Sequence, residues 1–273
     1  MRRRARALGD VAVLAAMALW ATPFFWQLLT SLKTDADLVR LPPLLPTTLT
    51  LAHYGVVLER SAMPGALVNS LGIATLTTAL ALLLGVPAAY ALARLPVPGR
   101  SALLLAIVAC SAFPQIATVS PLYLLMRALG LRDTWTALLL AHASFALPLT
   151  IWLLASFVRE LPEALEEAAS VDGAGLAATL RWVIGPLLAP GMASAGLVTF
   201  LFSWNEFLFA YTLTATEASR TAPVALALFP GVFEVPWGDI AAASMLASAP
   251  TIAIAVGLQR YLVRGLLAGA TKN

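Results

Sequence analysis

Charged residues are scarce in this chain, cysteine occurs once, and histidine occurs twice. Lys, Arg, Asp and Glu make up 11% of the 273 residues, against about a quarter in ordinary soluble domains. The single cysteine, Cys110, leaves no partner for an internal disulfide, and its place inside an apolar run reads as a small core residue. His53 and His142 stand far apart, without metal-ligand spacing, so no metal site is expected. His53 falls in a Pro-rich loop and reads as a surface residue without a role. No Gly-x-x-x-x-Gly-Lys-Ser/Thr loop occurs, which removes that means of cradling a nucleotide phosphate. No Ser-His-Asp set can be assembled. Basic residues do not form a patch with interleaved aromatics, so the net charge of +3 points to no nucleic acid.

What the chain has instead is apolar length. Hydrophobic residues are 60% of the total and the mean hydropathy is +0.86, which places the chain in the class of all-α integral membrane proteins. Six runs lack any Asp, Glu, Lys or Arg: residues 11–32, 61–93, 101–126, 134–158, 182–205 and 240–259. A spanning helix needs about 20 residues at about 1.5 Å each, and every run reaches that length. The expected spans within a single domain of residues 1–273 are 11–32, 64–94, 101–126, 134–158, 187–213 and 240–260. The first begins MRRRAR and extends through Trp20 and Trp26, longer than the apolar core of a signal peptide, and reads as an uncleaved span. The run 221–233 is too short to cross and contains Pro223 and Pro230. It reads as an outer loop on or near the membrane, and Lys33 to Met63, with LPPLLP near its centre, reads as an extended, irregular outer loop.

Basic residues set the orientation. With both termini on one side, that side holds eleven: Arg2, Arg3, Arg4, Arg6, Arg94, Arg100, Arg159, Arg181, Arg260, Arg264 and Lys272. The other holds Lys33, Arg40, Arg60, Arg127, Arg132 and Arg220. The excess places both termini and the 159–186 loop in the cytoplasm of a cell-membrane protein, with anionic lipid as a further contact.

Polar residues inside apolar runs are costly without partners and are therefore candidates for function. His142 lies mid-run, where a pathway role and a hydrogen bond to a neighbouring helix are both open. Gln115 sits between Pro114 and Pro121, prolines that suit either a broken helix lining a pathway or a kinked packing helix. Glu206 is the one acid embedded in an apolar stretch, in Trp204-Asn205-Glu206-Phe207. Asn205, Glu206, His142 and Gln115 form the candidate pathway or gating set, with a structural or gating cluster favoured over direct substrate contact.

The longest stretch unsuited to lipid is Arg159 to Pro190. Its acids Glu160, Glu163 and Glu167 recur every three or four residues, while Leu161, Leu165, Ala168 and Ala169 recur on another side. That is a short amphipathic helix, opened by Pro162 and bent out of at Gly173. A second short helix is expected to carry Leu176, Leu180, Val183 and Ile184, and Pro186 to close it. Glu167-Ala168-Ala169, three residues, Gly173, nine residues, then Val183-Ile184-Gly185-Pro186 resembles the EAA loop of ABC importer permeases. That pattern reads Glu-Ala-Ala, Gly, then Ile-x-Leu-Pro; here Val183 replaces the Ile and Gly185 the Leu. Asn69-Ser70, Ala89-Tyr90-Ala91-Leu92-Ala93-Arg94, Trp204-Asn205-Glu206-Phe207, Arg264-Gly265-Leu266 and Gly269-Ala270-Thr271-Lys272 resemble the sugar branch, similar to the maltose-type systems.

The resemblance implies six transmembrane helices with a cytoplasmic coupling-helix (EAA) loop between spans 4 and 5. It implies a transport subunit, not an enzyme, forming half of a sugar pathway. The implied partners are a second permease, two ATPase subunits and an extracytoplasmic sugar-binding protein; ATP and magnesium would bind the ATPase, leaving this chain without a cofactor. Glu167, Ala168, Ala169, Gly173 and Pro186 would be its docking residues. Glycerol phosphate and polyol importers share these motifs. Two other readings stay open on the residues: an ion-coupled secondary transporter using His142 and Glu206 as a proton relay, and a membrane-embedded enzyme, against which the missing catalytic set counts.

Overall fold

A computed structural model describes residues 2–39, 45–229 and 235–270, with side chains described for 9–39, 45–229 and 235–257. The secondary structure among them is helical, with no strand. Arg40 and Pro230 lie outside the described residues, as do Thr271 and Lys272. The side chains of Arg2, Arg3, Arg4, Arg6, Arg260 and Arg264 also lie outside them. The chain divides into two compact units, Met1–Pro64 with Ala225–Ala249, and Gly65–Val224 with Pro250–Asn273.

In the first unit, α1 (Arg2–Ser31) contains the first span. Its large apolar side chains from Val11 to Trp26 are exposed, as suits a rod that lipid or another subunit covers. Most of the proline-rich LPPLLP stretch, residues 40–44, lies outside the described residues; around it the segment expected to be irregular folds in part into α2 (Asp35–Val39) and α3 (Ala52–Arg60). His53, expected at the surface, is buried on α3. Its Nδ1 lies 2.7 Å from Asp239 Oδ1 and its Nε2 donates to the Lys33 carbonyl at 2.9 Å. The partner Asp239 is 186 residues away, so local composition gave no sign of this burial.

The second unit is organised by α4 (Met63–Arg94), α7 (Trp135–Glu160) and α10 (Gly185–Asn205). Thr134 caps α7 by accepting the Ala137 N–H. One core joins Ala89 and Tyr90 of α4, Leu154, Ala155 and Val158 of α7, and Ile184, Leu188 and Ala195. Small residues dominate the α7–α10 contact, where helices in lipid associate through close van der Waals packing. Gly191 shows why: a Cβ there would lie 2.6 Å from Cγ of Phe157.

Two expected spans are reshaped. The run 101–126 is broken into α5 (Arg100–Ser111) and α6 (Gln115–Ala128), bent by 87°. Pro114 stands at the break in extended conformation, without an N–H to continue the helix. Cys110, near the end of α5, is exposed and not a core residue. The expected second helix after Gly173 is not separate: α9 (Leu176–Ala178) runs through a π-helical turn (Thr179–Ile184) into α10, giving one span, Leu176–Asn205. In that wide turn the Gly185 N–H donates to the Leu180 carbonyl, and a Cβ at Gly185 would lie 3.0 Å from the same oxygen. A side chain at this position would crowd the turn. The span also ends earlier than residue 213, because Glu206 is extended and a new helix, α11 (Leu208–Leu213), follows. After α12 (Ala222–Ala227), the last helix is α13 (Trp237–Ala270). Among the described residues five helices are long and apolar enough to cross a membrane, or six with the bent α5–α6 pair.

Gly191→Leu is expected to destabilise the α7–α10 pair by about 1–3 kcal/mol through overpacking against Phe157, measurable as a lower unfolding midpoint in detergent.

Candidate functional site

The loop after α7 is built from its charges. α8 (Ala164–Val171) ends in a left-handed turn: Gly173 has φ +79, its N–H donates to the Ser170 carbonyl, and the Ala174 N–H donates to the Ala169 carbonyl. That is the Schellman arrangement, which favours glycine because a side chain strains the left-handed backbone. A Cβ at Gly173 would meet nothing within 4 Å, so conformation and not space explains the residue. Glu167, Ala168 and Pro186 are exposed, whereas Ala169 is buried and faces the protein. Leu165, Val171, Leu176 and Trp182 add exposed apolar area.

The other side of the loop is gripped by Arg94, at the end of α4. Its Nε lies 2.9 Å from Glu166 Oε1 and its Nη1 3.0 Å from Glu163 Oε1. Its Nη2 donates to the Val158 carbonyl at 2.9 Å and to the Leu161 carbonyl, satisfying oxygens that the end of α7 would leave without partners. The Tyr90 hydroxyl donates to Glu166 Oε2 at 2.7 Å, while Oε1 faces Arg94 in the ion pair. Sequence reasoning passed over Glu166 beside the more recognisable Glu167. The available signal was that Glu163 and Glu166 share a helix face at i, i+3.

Two of the four pathway candidates meet inside the second unit. His142 Nε2 lies 3.1 Å from Glu206 Oε2, and its Nδ1 lies 2.7 Å from the Ser203 hydroxyl. Glu206 also accepts the Phe209 and Ala210 N–H groups at 2.9 and 3.0 Å, capping α11. The cluster therefore pins the break between α10 and α11 to α7, and its members are buried. Asn205 is exposed and donates to the Leu201 carbonyl of its own helix. Gln115 instead lines a cavity of about 280 Å³ with Ser111, Phe145, Leu149, Thr199 and Phe202. It lies at the mouth of the α5–α6 break, where irregular backbone fits a wet cavity.

The other polar assembly surrounds Asp133, the one non-glycine residue with positive φ (62) among the described residues. Its carboxylate accepts the Ala215 and Thr216 N–H groups and the Thr216 and Ser219 hydroxyls. Asn69 donates to the Glu217 and Arg220 carbonyls and accepts from Trp135 Nε1. Burial raises the Asp133 carboxyl, but these donated hydrogen bonds outweigh it and hold the group at about 2.

Residues 81–268 match the family described as binding-protein-dependent transport system inner membrane component. The chain is 44% identical over 253 residues to the trehalose transport system permease protein SugB of Mycobacterium tuberculosis, covering 92% of each. It is 38% identical over 254 residues to the trehalose/maltose transport system permease protein MalG of Thermococcus litoralis, covering 92% of this chain and 91% of that one. The fold resembles a chain in the crystal structure of a bacterial ABC transporter involved in import of the acidic polysaccharide alginate. There the TM-score is 0.82 at 24% identity, covering 94% of this chain and 96% of the other.

Glu206→Ala would leave His142 and two α11 N–H groups without their acceptor. It is expected to cost about 3–5 kcal/mol, read as loss of folded protein on detergent extraction, with Glu206→Gln milder. Because the Asp133 pKa is lowered, its stabilisation is present above the ordinary carboxylate value of about 4 and is lost as pH falls toward about 2. Cleavage of the 215–220 loop by an acid protease should therefore rise across that window. At neutral pH, Asp133→Asn should speed tryptic cleavage at Arg220 several-fold by opening the same loop.

Proposed function

Since the chain belongs to the family of binding-protein-dependent transport system inner membrane components, we propose that it is one permease subunit of an ATP-driven sugar importer, with hydrolysis carried out on separate chains. The family implies a solute-binding protein and an ATPase as partners. A second permease, a pair of ATPase subunits and a sugar-specific binding protein extend that assembly, with ATP and magnesium bound by the ATPase and no cofactor here. A multi-pass position in the cell membrane with both termini cytoplasmic follows the distribution of basic residues. The named substrates of the two relatives, trehalose and trehalose/maltose, support a sugar over glycerol phosphate or a polyol.

The observation that carries the coupling role is the two-sided α8 loop. One side is tied to α4 and α7 through Arg94, while the other presents Glu167, Ala168 and a ring of exposed apolar side chains. An exposed carboxylate beside a small residue fits a groove that offers a basic side chain and admits a close backbone approach. Ala169 then seats the helix from within, and Gly173 sets the reversal that presents it. Pro186 lies on the span that the loop would drive. Closure of the ATPase would rock the spans around the pathway, with Gln115 on its wall, Asn205 at the exposed end of α10, and His142–Glu206 holding the α10–α11 break in shape. Mutual pairing of His142 and Glu206, enclosed away from water, favours this over the ion-coupled reading.

Reconstitution of the chain with its partner permease, ATPase and binding protein should give uptake of a trehalose-type disaccharide that needs both ATP and the binding protein. Uptake by this chain alone under a proton gradient would overturn the reading. Glu167→Lys is expected to reduce ATPase co-purification about tenfold at unchanged membrane level. Gly173→Leu should weaken docking through backbone strain of about 1–2 kcal/mol.

A further inference from the structure

The covalent chain connects α8 to α7 on one side and to the span Leu176–Asn205 on the other. It gives α8 no direct connection to α4, whose end lies 69 residues before Glu163. Arg94 makes that connection. Its Nη1 and Nη2 donate hydrogen bonds and its Nε approaches Glu166 as an ion pair, so that the side chain reaches two structures at once: the carboxylates of the α8 loop and the last carbonyls of α7.

The two carboxylates differ in environment. The Arg94 side chain is 9% exposed and that of Glu166 18%, while that of Glu163 is 76% exposed. An exposed ion pair contributes little, whereas breaking a sheltered one leaves a desolvated charge. Glu166 is also held by Tyr90, one turn before Arg94 on α4 and part of the core with Ile184 and Leu188. Two residues of α4 thus grip one side chain of α8, and that side chain is directed away from the exposed Glu167 face.

We propose that Arg94, Tyr90 and Glu166 form a non-covalent linkage that transmits displacement of α8 to α4, so that Arg94 is a positioning residue for energy coupling and not a docking residue. A helix joined to its neighbours only by turns can tilt without moving α4. A helix clamped through an arginine fork and a phenol carries α4 with it. The inference rests on the permease reading above. That reading fails if the wild-type assembly shows no ATP-dependent uptake; this one fails only when the wild type transports and the variants below match it.

The test uses the reconstituted full assembly with Arg94→Gln, Glu166→Gln, Tyr90→Phe and Glu163→Gln. For Arg94→Gln and Glu166→Gln, ATPase co-purification should stay within twofold of wild type, while ATP-driven uptake falls tenfold or more and hydrolysis continues. The Arg94→Gln/Glu166→Gln double variant should be no worse than the poorer single, because both cut one linkage. Tyr90→Phe should lose severalfold and Glu163→Gln less than twofold. If Arg94→Gln fails to insert, Glu166→Gln and Tyr90→Phe, which leave the Arg94 bonds to Val158 and Leu161, decide the matter. Wild-type uptake in Glu166→Gln would overturn the proposal, as would loss of ATPase association in step with uptake, which would make the clamp a fold determinant of the loop alone.

Discussion

Lipid offers no hydrogen bonds, and each polar group of this chain below the membrane surface must find its partner inside the protein. That constraint explains where the second unit departs from straight rods. The break after Asn205 frees N–H groups at the start of α11, and Glu206 accepts two of them. A carboxylate so placed needs a further partner, supplied by His142 and backed by Ser203. Nearby, the Thr150 and Thr199 hydroxyls satisfy one another between α7 and α10. Each group that looks expensive alone becomes a tie between two helices. The pair His142–Glu206 is better understood as such a tie than as a mobile proton carrier.

The same requirement shapes the ends of the spans, where charge is affordable. At one end Arg94 closes α7 and gathers the α8 loop. Around Asp133 an unusual backbone and four donors organise the 215–219 loop. Arg94 serves the last carbonyls of α7, where intrahelical partners run out, whereas Asp133 collects N–H groups of the loop beyond α11. Between them the packing depends on small residues, because helices in lipid gain little from burying one apolar surface against another. Gly191 against Phe157 and Gly185 over the Leu180 carbonyl show how little room is left.

How far the sequence could be read depended on the range of the interaction involved. The apolar runs and the glycine turn at 173 are local properties and legible; Pro114 left a break and a kink both open, and the 87° bend decides for the break. The short helix α8 was legible as well, because its residues share one short segment. His53 was misread because its partners, Lys33 and Asp239, are 20 and 186 residues away. The tie between Arg94 and Glu166 lies out of reach of local patterns for the same reason, the two being 72 positions apart in the numbering. Cys110, expected in the core, is exposed, because its place in an apolar run does not say which side of α5 faces the protein.

Composition and spacing alone determined that the chain is a bundle of lipid-crossing helices, roughly where the apolar runs lie, and that a short amphipathic helix follows α7. These follow from hydropathy and backbone propensity, which act over a turn or two of helix. Tertiary structure alone decided which polar residues pair, that Ala169 faces inward while Glu167 faces out, and that α4 holds α8 through Arg94. Those outcomes depend on helices distant in sequence arriving side by side, and the geometry of that meeting is not encoded in any one segment.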